Sequence, residues 1–362
     1  MRQNAESQEN SGPMRITGVA TAFPSNRYSQ QEIFAALGRN WAGKLEKPQV
    51  LERLHSRVGV GHRHLALTIP EYEAITTFGQ ANDAWIRVAE EIGEKALCRA
   101  LHRSGISAAE LDAIFFTSVT GISAPSIDAR LVNRMKLSPH IKRVPIFGLG
   151  CVAGAAGIAR AADYVKAYPD HNAALLSVEL CSLTWQRDDL TVANFISSGL
   201  FGDGAAAVIV SGREVAQHGP RVLATRSVFY PDTQNVMGWN VSEKGFQIVL
   251  SPDVPRMVHD HLRDDVDAFL GEYDLKRPDI GNWIMHTGGP KVLEASAQAL
   301  ELPDAALAAS WNALEEVGNL SSASVLVVLE QIFHHQRPAP GTLSLLAAMG
   351  PGFCSELVLL MW

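Results

Sequence analysis

A cysteine stands between a short apolar strand and a helix of small residues, in the stretch RVPIFGLGCVAGAAGIARAADYVKAY (143–168). The apolar run 144–147 has the length of a strand, and Gly148 and Gly150 break it before Cys151. Small and apolar residues then recur at helical spacing. A thiol at a helix N-terminus lies beside free N–H groups, which lower its pKa and favour the nucleophilic thiolate. The alternative is an inert core cysteine, because free cysteines are often buried.

Two further polar residues stand where a strand or a turn ends. His286 closes the apolar run 283–285 and precedes a glycine turn. Asn319 lies in GNLSSAS, ahead of the apolar run SVLVVLEQIF. Taken singly, such a histidine is more often structural, and an asparagine beside glycine usually belongs to a turn. Together with Cys151 they mark strand ends, where open α/β sheets place their functional sites.

The three residue types form a coherent chemical set. A Cys151 thiolate can accept an acyl group, and His286 can stabilise that thiolate as an ion pair. Once the acyl group is loaded, His286 Nε2 and the Asn319 amide are two neutral donors for a thioester oxygen. They would stabilise the enolate that forms when a malonyl unit loses carbon dioxide. No carboxylate stands out as a base for proton abstraction, so decarboxylation is the simpler route to the carbanion.

The elements that must position these residues recur in the same order along the chain. A helix and a buried strand in SAAELDAIFFTSVTG recur as HDHLRDDVDAFLGEYDLKRPDI followed by GNWIMHTGG. The glycine turn and strand of LFGDGAAAVIVSG recur as AMGPGFCSELVLLMW. This repetition predicts an α/β fold of two duplicated halves, 14–218 with the cysteine and 219–362 with the histidine and asparagine.

Local signals place the ends of several elements. Ser29 can cap a helix that begins QQEIFAALGR, and Ser107 with Glu110 resembles a capping box. Residues 79–105 have the pattern of a long amphipathic helix, with Cys98 expected on its buried face. The polar residues 1–13 are predicted to be a disordered lead.

Composition excludes several classes of function. The 362 residues carry a net charge of −7, which argues against a nucleic-acid or anionic-membrane surface. No apolar run is long enough to span a membrane, and the N-terminus lacks the apolar core of a signal peptide. Four scattered cysteines without metal-type pairing fit a cytoplasmic protein and predict no metal site.

The stretch 48–67 is basic although the protein as a whole is acidic. It contains three arginines and three histidines: Arg53, Arg57, Arg63, His55, His62 and His64. One interpretation is a solvated helix face. The other is a binding site for the phosphates of an acidic substrate.

The motifs GCVAGAAGIARAADYVKAYP, LFGDGAAAVIVSG, HTGGPKVLEA, GNLSSASVLVVLE and AMGPGFCSELVLL together resemble those of bacterial type III polyketide synthases of the thiolase superfamily. The similarity runs from about Met14 to Trp362. LFGDGAAAVIV is not specific, because priming ketoacyl synthases carry nearly the same phrase. HTGGP and the GPGF loop are more specific to the polyketide synthases.

This resemblance implies a thiolase-like five-layered αβαβα fold, a homodimer, and a catalytic triad of Cys151, His286 and Asn319. It implies CoA thioesters as substrates without any other cofactor. It places CoA-phosphate contacts at Arg53 and Arg57, whereas a third cationic position of the family is Val50 here. The substrate-binding residues that it implies are Thr120, Ala124, Cys181, Thr184, Phe201, Ile248, Gly288, Gly289, Pro290, Ser321, Gly350, Pro351, Gly352 and Phe353. Phe201 matches a gatekeeping phenylalanine, whereas Ile248 replaces a second aromatic gatekeeper.

The small residues Thr120, Ala124 and Cys181 resemble those of members that form alkylpyrones, where they open a tunnel for a long acyl chain. The chain is therefore expected to join a medium- or long-chain acyl-CoA to malonyl-CoA units and to release an alkylpyrone or alkylresorcinol. The starter arrives on CoA or on an acyl carrier protein. Two rival functions are a priming ketoacyl synthase, which condenses once, and a catalytically silent thiolase-fold lipid-binding protein. HTGGP counts against the first rival, and the intact triad counts against the second.

Overall fold

The computed structural model describes residues 14–44 and 48–362, so the lead predicted at 1–13 lies outside the described residues. The strands are β1 (Arg15–Ala22), β2 (Asn26–Ser29), β3 (His62–Leu65), β4 (Ala113–Thr117), β5 (Lys142–Ile146), β6 (Asn172–Leu180), β7 (Asp203–Ser211), β8 (Arg221–Phe229), β9 (Met237–Ser242), β10 (Gly245–Leu250), β11 (Ile280–Met285), β12 (Leu343–Gly350) and β13 (Cys354–Met361). The α-helices are α1 (Gln30–Asn40), α2 (Pro48–His55), α3 (Ile69–Ala74), α4 (Phe78–Ser104), α5 (Ile127–Met135), α6 (Ala153–Ala167), α7 (Val192–Leu200), α8 (Val254–Gly271), α9 (Pro290–Leu300), α10 (Ala308–Val317) and α11 (Ser324–His335).

The structure confirms the helix caps predicted at Ser29 and Ser107 and the long helix predicted at 79–105. Ser29 caps α1 through a capping box with Glu32. Ser107 and Glu110 form the same reciprocal pair, although the turn that they cap is a short 3₁₀ helix. The long helix α4 ends at Gly105, whose φ of 76° suits a residue without a side chain.

The expected burial of Cys98 is wrong, because its side chain is exposed. The buried face of α4 at this point consists of Ala96, Leu97, Ala100 and Leu101. Cys98 lies about 100° around the helix from Leu97, just beyond the edge of that stripe.

The described residues form one nine-stranded sheet, and its strand directions repeat as the predicted duplication requires. Its order is β11-β12-β13-β8-β1-β7-β6-β4-β5. In the first half β4 is parallel to β6, β6 antiparallel to β7, and β7 antiparallel to β1. In the second half β11, β12, β13 and β8 repeat these directions in the same order. The halves join where Arg15 of β1 pairs with Arg221 of β8. The exact bounds of the two halves stay a prediction.

Helices cover both halves in five layers, which confirms the predicted thiolase-like architecture. Along β7, Ala206, Val208 and Val210 face the middle layer, whereas Ala205, Ala207 and Ile209 face α4 on the outside. This alternation is the period of a strand buried on both faces. Helices α6 and α11 occupy the middle layer, and α8 with α9 cover the outer face of the second half.

Small residues bring α6 close to its neighbours. A Cβ at Gly154 would collide with the Ser322 carbonyl, and one at Gly157 would collide with the Leu175 side chain. The first contact fixes the start of α6, and therefore Cys151, against the segment that follows Asn319.

Candidate active site

Cys151 lies at the predicted elbow. β5 ends at Ile146, Gly148 and Gly150 adopt φ values of 94° and 54°, and a 3₁₀ turn Gly150–Val152 carries the cysteine into α6. The side chain is 5% exposed, and its Sγ lies 3.7 Å from Ser321 Oγ. The positive φ values explain the two glycines, because other residues are strained in this region.

The acidity of this thiol differs from the prediction. Burial raises the pKa of Cys151 to about 12, and the negative charge of Glu179 adds to the shift, whereas the Ser321 hydrogen bond opposes it. The cost of removing a thiolate from water is larger than the stabilisation that the N–H groups of the turn would give it. The thiol is therefore protonated at neutral pH, and its activation requires a proton acceptor in the site.

His286 directly follows β11 and is buried, and its backbone N–H donates to Ala347 O of β12 at 3.0 Å. Burial lowers the pKa of His286 to about 4, so the imidazole is neutral at pH 7. Within the described part of the chain, its Nδ1 has no hydrogen-bond partner. A neutral imidazole of this kind can accept a proton at one nitrogen and donate a hydrogen bond from the other.

Asn319 is held in one orientation by its neighbours. Its Oδ1 accepts hydrogen bonds from Ser321 N–H at 2.8 Å and from Ser324 Oγ at 3.2 Å. The backbone N–H of Asn319 donates to Leu200 O at 2.9 Å, which joins this turn to the end of α7. Because both protein donors bind the amide oxygen, the Nδ2 group remains as the donor for a ligand.

Three segments from different parts of the chain meet beside Cys151. The 3₁₀ turn Gly150–Val152 packs on the 3₁₀ turn Ser321–Ala323 and on the end of β12. A Cβ at Gly350 would lie only 2.7 Å from Val152 N. His286 is hydrogen-bonded to the same strand, β12. The structure therefore brings all three predicted residues to the same region of the nine-stranded sheet.

A small cavity of about 90 Å³ extends from Cys181 beneath α1. Four of its lining residues were predicted from the sequence: Cys181, Thr184, Phe201 and Ile248. Sequence reasoning missed Trp239 and the helix residues Ile33, Ala36 and Leu37. Their i, i+3, i+4 spacing signalled an apolar helix face, but not that this face borders a cavity.

Thr120 and Ala124 do not line this cavity. The Thr120 hydroxyl donates to Glu179 Oε2 and accepts from Leu180 N–H, both at 2.9 Å, inside the core. Ala124 is exposed in the loop between β4 and α5. Of the three residues predicted to form a tunnel wall, only Cys181 lines this cavity, and the tunnel itself stays a prediction.

Glu179 is a buried carboxyl group that sequence reasoning missed. It is completely buried at the end of β6 and accepts hydrogen bonds from Ser118 and Thr120 and, through Oε1, from Ser322. Burial raises its pKa to about 7, although these donors oppose the shift. A single glutamate inside the apolar run ALLSVEL was its only signal in the sequence.

The basic stretch divides into buried and exposed groups. Arg63 is 2% exposed and donates to Ser198 O and Phe201 O at 2.8 Å each, so it holds the chain at Phe201, the predicted gatekeeper, rather than facing solvent. His55 is also buried. Arg53 and Arg57 are exposed at the end of α2 and just beyond it, and within the described ranges neither forms an ion pair.

The glycine turn at the start of α9 lies close to this exposed basic segment. A Cβ at Gly59 would lie 3.0 Å from Pro290 Cγ, and Gly289 has a φ of 123°. The chain just beyond Arg57 therefore packs on the glycine turn that follows His286.

Residues 14–44 and 48–362 contain no group of three or more histidine, cysteine, aspartate or glutamate side chains arranged to hold a metal ion. None of their helices is both long and apolar enough to cross a membrane.

Comparison with known proteins agrees with this geometry. The family described as chalcone and stilbene synthases matches through its N-terminal domain at residues 1–214 and through its C-terminal domain at residues 221–361. A 1,3,6,8-tetrahydroxynaphthalene synthase of Streptomyces peucetius subsp. caesius is 49% identical over 96% of this chain and 93% of its own. A putative chalcone synthase of Bacillus subtilis is 36% identical over 96% and 98%.

A solved structure extends the similarity to three dimensions. The 1,3,6,8-tetrahydroxynaphthalene synthase of Streptomyces coelicolor, a bacterial type III polyketide synthase, superposes with a TM-score of 0.91. It is 32% identical, and the match covers 96% of this chain and 99% of that one. This chain therefore shares its fold with that enzyme along almost its whole length, and Cys151, His286 and Asn319 lie within the shared fold. This chain belongs to the chalcone and stilbene synthase family of type III polyketide synthases.

Proposed function

We propose that this type III polyketide synthase, an acyltransferase that condenses malonyl-CoA, carries its growing chain on Cys151. The observation that carries the proposal is the orientation of Asn319, whose amide oxygen is fixed by two protein donors beside the buried thiol. Its Nδ2 and a neutral His286 supply two donors for one oxygen. The family residues Cys151, His286 and Asn319 are therefore assigned as the catalytic triad.

Acyl loading begins with a proton transfer. His286 takes the Cys151 proton, and the thiolate attacks the carbonyl carbon of an acyl-CoA. The carbon–sulfur bond to CoA breaks, and the departing CoA thiolate receives the proton from His286. The site then holds an acylated cysteine and a neutral imidazole, which is the form that its burial favours.

Extension needs no base. Malonyl-CoA loses carbon dioxide, and the two electrons of the broken bond form an enolate whose oxygen accepts hydrogen bonds from His286 and Asn319. The enolate carbon attacks the Cys151 thioester, and the thiolate leaves. The product is a CoA thioester longer by two carbons, which can reload Cys151. We propose that CoA thioesters are the only small molecules required and that Arg53 and Arg57 bind the CoA phosphates.

Two classes of starter are supported by different observations. Malonyl-CoA is supported by the 49% identical relative, whose named product has a ten-carbon naphthalene skeleton that malonyl units can supply. A medium- or long-chain fatty acyl-CoA, leading to an alkylpyrone or alkylresorcinol, is supported by the apolar side of the cavity under α1. We place malonyl-CoA first, because the identity extends over almost the whole of both chains.

Product mass tests this proposal. With malonyl-CoA as the sole substrate, we expect an aromatic polyketide of several two-carbon units, detected by mass spectrometry. In parallel reactions, acyl-CoAs of increasing length compete with malonyl-CoA, and isotope-labelled starters identify the first unit. A single condensation onto a carrier protein would identify a priming ketoacyl synthase. Complete absence of acyl uptake would identify a lipid-binding protein instead.

Filling the cavity tests the choice of starter. Cys181→Phe should shift the enzyme towards short starters, because each methylene excluded from the apolar cavity forfeits about 0.8 kcal/mol. Malonyl-CoA decarboxylation should persist. Relative kcat/KM values across acyl-CoA lengths measure the effect, and Cys98→Phe, the same change at an exposed position, is the control. An unchanged length profile, or no use of long starters by the unaltered enzyme, would argue against the fatty acyl proposal.

We also propose a homodimer and a cytoplasmic location. β5 is the edge strand of the nine-stranded sheet, and Val144, Phe147 and Ile122 are exposed on or near it. An exposed edge with apolar side chains favours pairing with a second copy of the chain. In this proposal the starter is delivered either on CoA or by an acyl carrier protein.

A further inference from the structure

The loop Gly350–Phe353 packs against the Cys151 turn without spare room. A Cβ at Gly350 would lie 2.7 Å from Val152 N, and a Cβ at Gly150 would lie 2.7 Å from Pro351 Cδ. The loop and the Cys151 turn are therefore packed directly on each other.

The loop backbone is held by the segment that follows β8. Phe353 N–H donates to Thr233 Oγ1 at 2.5 Å, and Thr233 Oγ1 donates to Tyr230 O at 2.6 Å. Tyr230 N–H in turn donates to Phe353 O at 2.9 Å. The Thr233 hydroxyl thus connects the backbones of Tyr230 and Phe353 and fixes the end of the loop.

The Tyr230 side chain anchors the same segment to the outer helix α8. It is 7% exposed, its hydroxyl donates to Asp265 Oδ2, and its ring stacks on His261 with 4.5 Å between ring centroids. Ser355 Oγ, just beyond the loop, donates to the same Asp265 oxygen at 2.9 Å. Burial raises the pKa of Tyr230, which keeps the hydroxyl protonated as a donor.

We propose that Tyr230 and Thr233 are positioning residues that hold the Gly350–Phe353 loop against the Cys151 turn and so determine how far the polyketide is extended before it cyclises. Neither residue touches a reacting atom. The inference rests on the proposed function, because it concerns the conformation of the polyketide attached to Cys151. A loop held in place keeps the intermediate extended. A loosened loop lets an enol oxygen of the intermediate attack its own thioester carbonyl early; the carbon–sulfur bond breaks, the thiolate takes the enol proton, and a short pyrone leaves.

The experiment compares Tyr230→Phe and Thr233→Val with Tyr273→Phe, an exposed tyrosine on the same outer side of the second half. Each of the first two variants removes one hydroxyl and keeps the shape of the side chain. We expect the ratio of full-length product to early-released pyrone to fall by roughly 2- to 10-fold, the factor that corresponds to one lost hydrogen bond. The rate of Cys151 acylation and the product ratio of Tyr273→Phe should stay at their original values.

A second measurement reports on the loop without turnover. Cys354 Sγ lies 3.2 Å from Pro351 O, and burial raises the pKa of this thiol to about 11. In Thr233→Val and Tyr230→Phe, alkylation of Cys354 should become faster relative to the exposed Cys98, as quantified by peptide mass spectrometry. An unaltered product ratio overturns the inference even if Cys354 reacts faster. If the unaltered enzyme makes no polyketide, the proposed function fails, and unchanged Cys354 labelling then overturns the positioning role as well.

Discussion

Replacing Cys151 with alanine is expected to abolish both acyl loading and chain extension. The cysteine is 5% exposed at the turn before α6, and no other thiol lies within that turn. Without its sulfur, the acyl group has no atom to which it can be transferred, so the loss should be complete rather than partial. Incubation with a labelled acyl-CoA, followed by mass spectrometry of the intact protein, measures the loading directly.

The control for this experiment is Cys98→Ala. Because Cys98 is exposed on α4, this change should leave loading intact and alter the stability by no more than about 0.5 kcal/mol. Labelled acyl groups retained on the Cys151→Ala protein would show that another residue is the nucleophile. In that case Cys181, which lines the adjacent cavity, would be the next position to test.

Asn319→Ala and His286→Ala are expected to separate the two chemical steps. Loss of one preorganised oxyanion donor typically lowers turnover by about 100- to 1000-fold, so Asn319→Ala should slow malonyl-CoA decarboxylation by this factor. It should leave acyl transfer to Cys151 largely unchanged. His286→Ala should impair both steps, because the buried thiol also needs this imidazole as its proton acceptor.

Carbon dioxide release and single-turnover acylation are the two measurements that separate these roles. Asn312→Ala, at an exposed position on α10, controls for an asparagine replacement outside the site. Equal loss of acylation in both site variants would contradict the division of labour. So would rapid decarboxylation by the Asn319→Ala protein.

The repeated order of elements allowed the duplicated fold to be predicted from the sequence, together with the elbow and the caps at Ser29 and Ser107. Each of these depends on local spacing or on a glycine that the backbone requires. The pKa of Cys151 was predicted in the wrong direction, because a helix N-terminus is visible in the sequence whereas burial is a property of the whole fold.

Long-range contacts explain the other differences. Thr120 was predicted to line a cavity, whereas its hydroxyl donates a hydrogen bond to Glu179, which follows it by 59 positions in the chain. Ala124 lies in an exposed loop, and the sequence does not state which side of a loop faces a cavity. The wall formed by Ile33 and Leu37 could not be located either, because an apolar helix face is compatible with a packed neighbour or with a cavity.

The middle layer has a consequence for the folding of the protein. Ile158 and Val165 of α6, from the first half, share one continuous core with Val325 and Leu329 of α11, from the second. Separating the halves would expose this entire core to water, at a cost that scales with the apolar area exposed. Despite their repeated topology, the two halves are therefore not independent folding domains but parts of one cooperative unit, and the shared middle core is complete only when most of the chain has been synthesised.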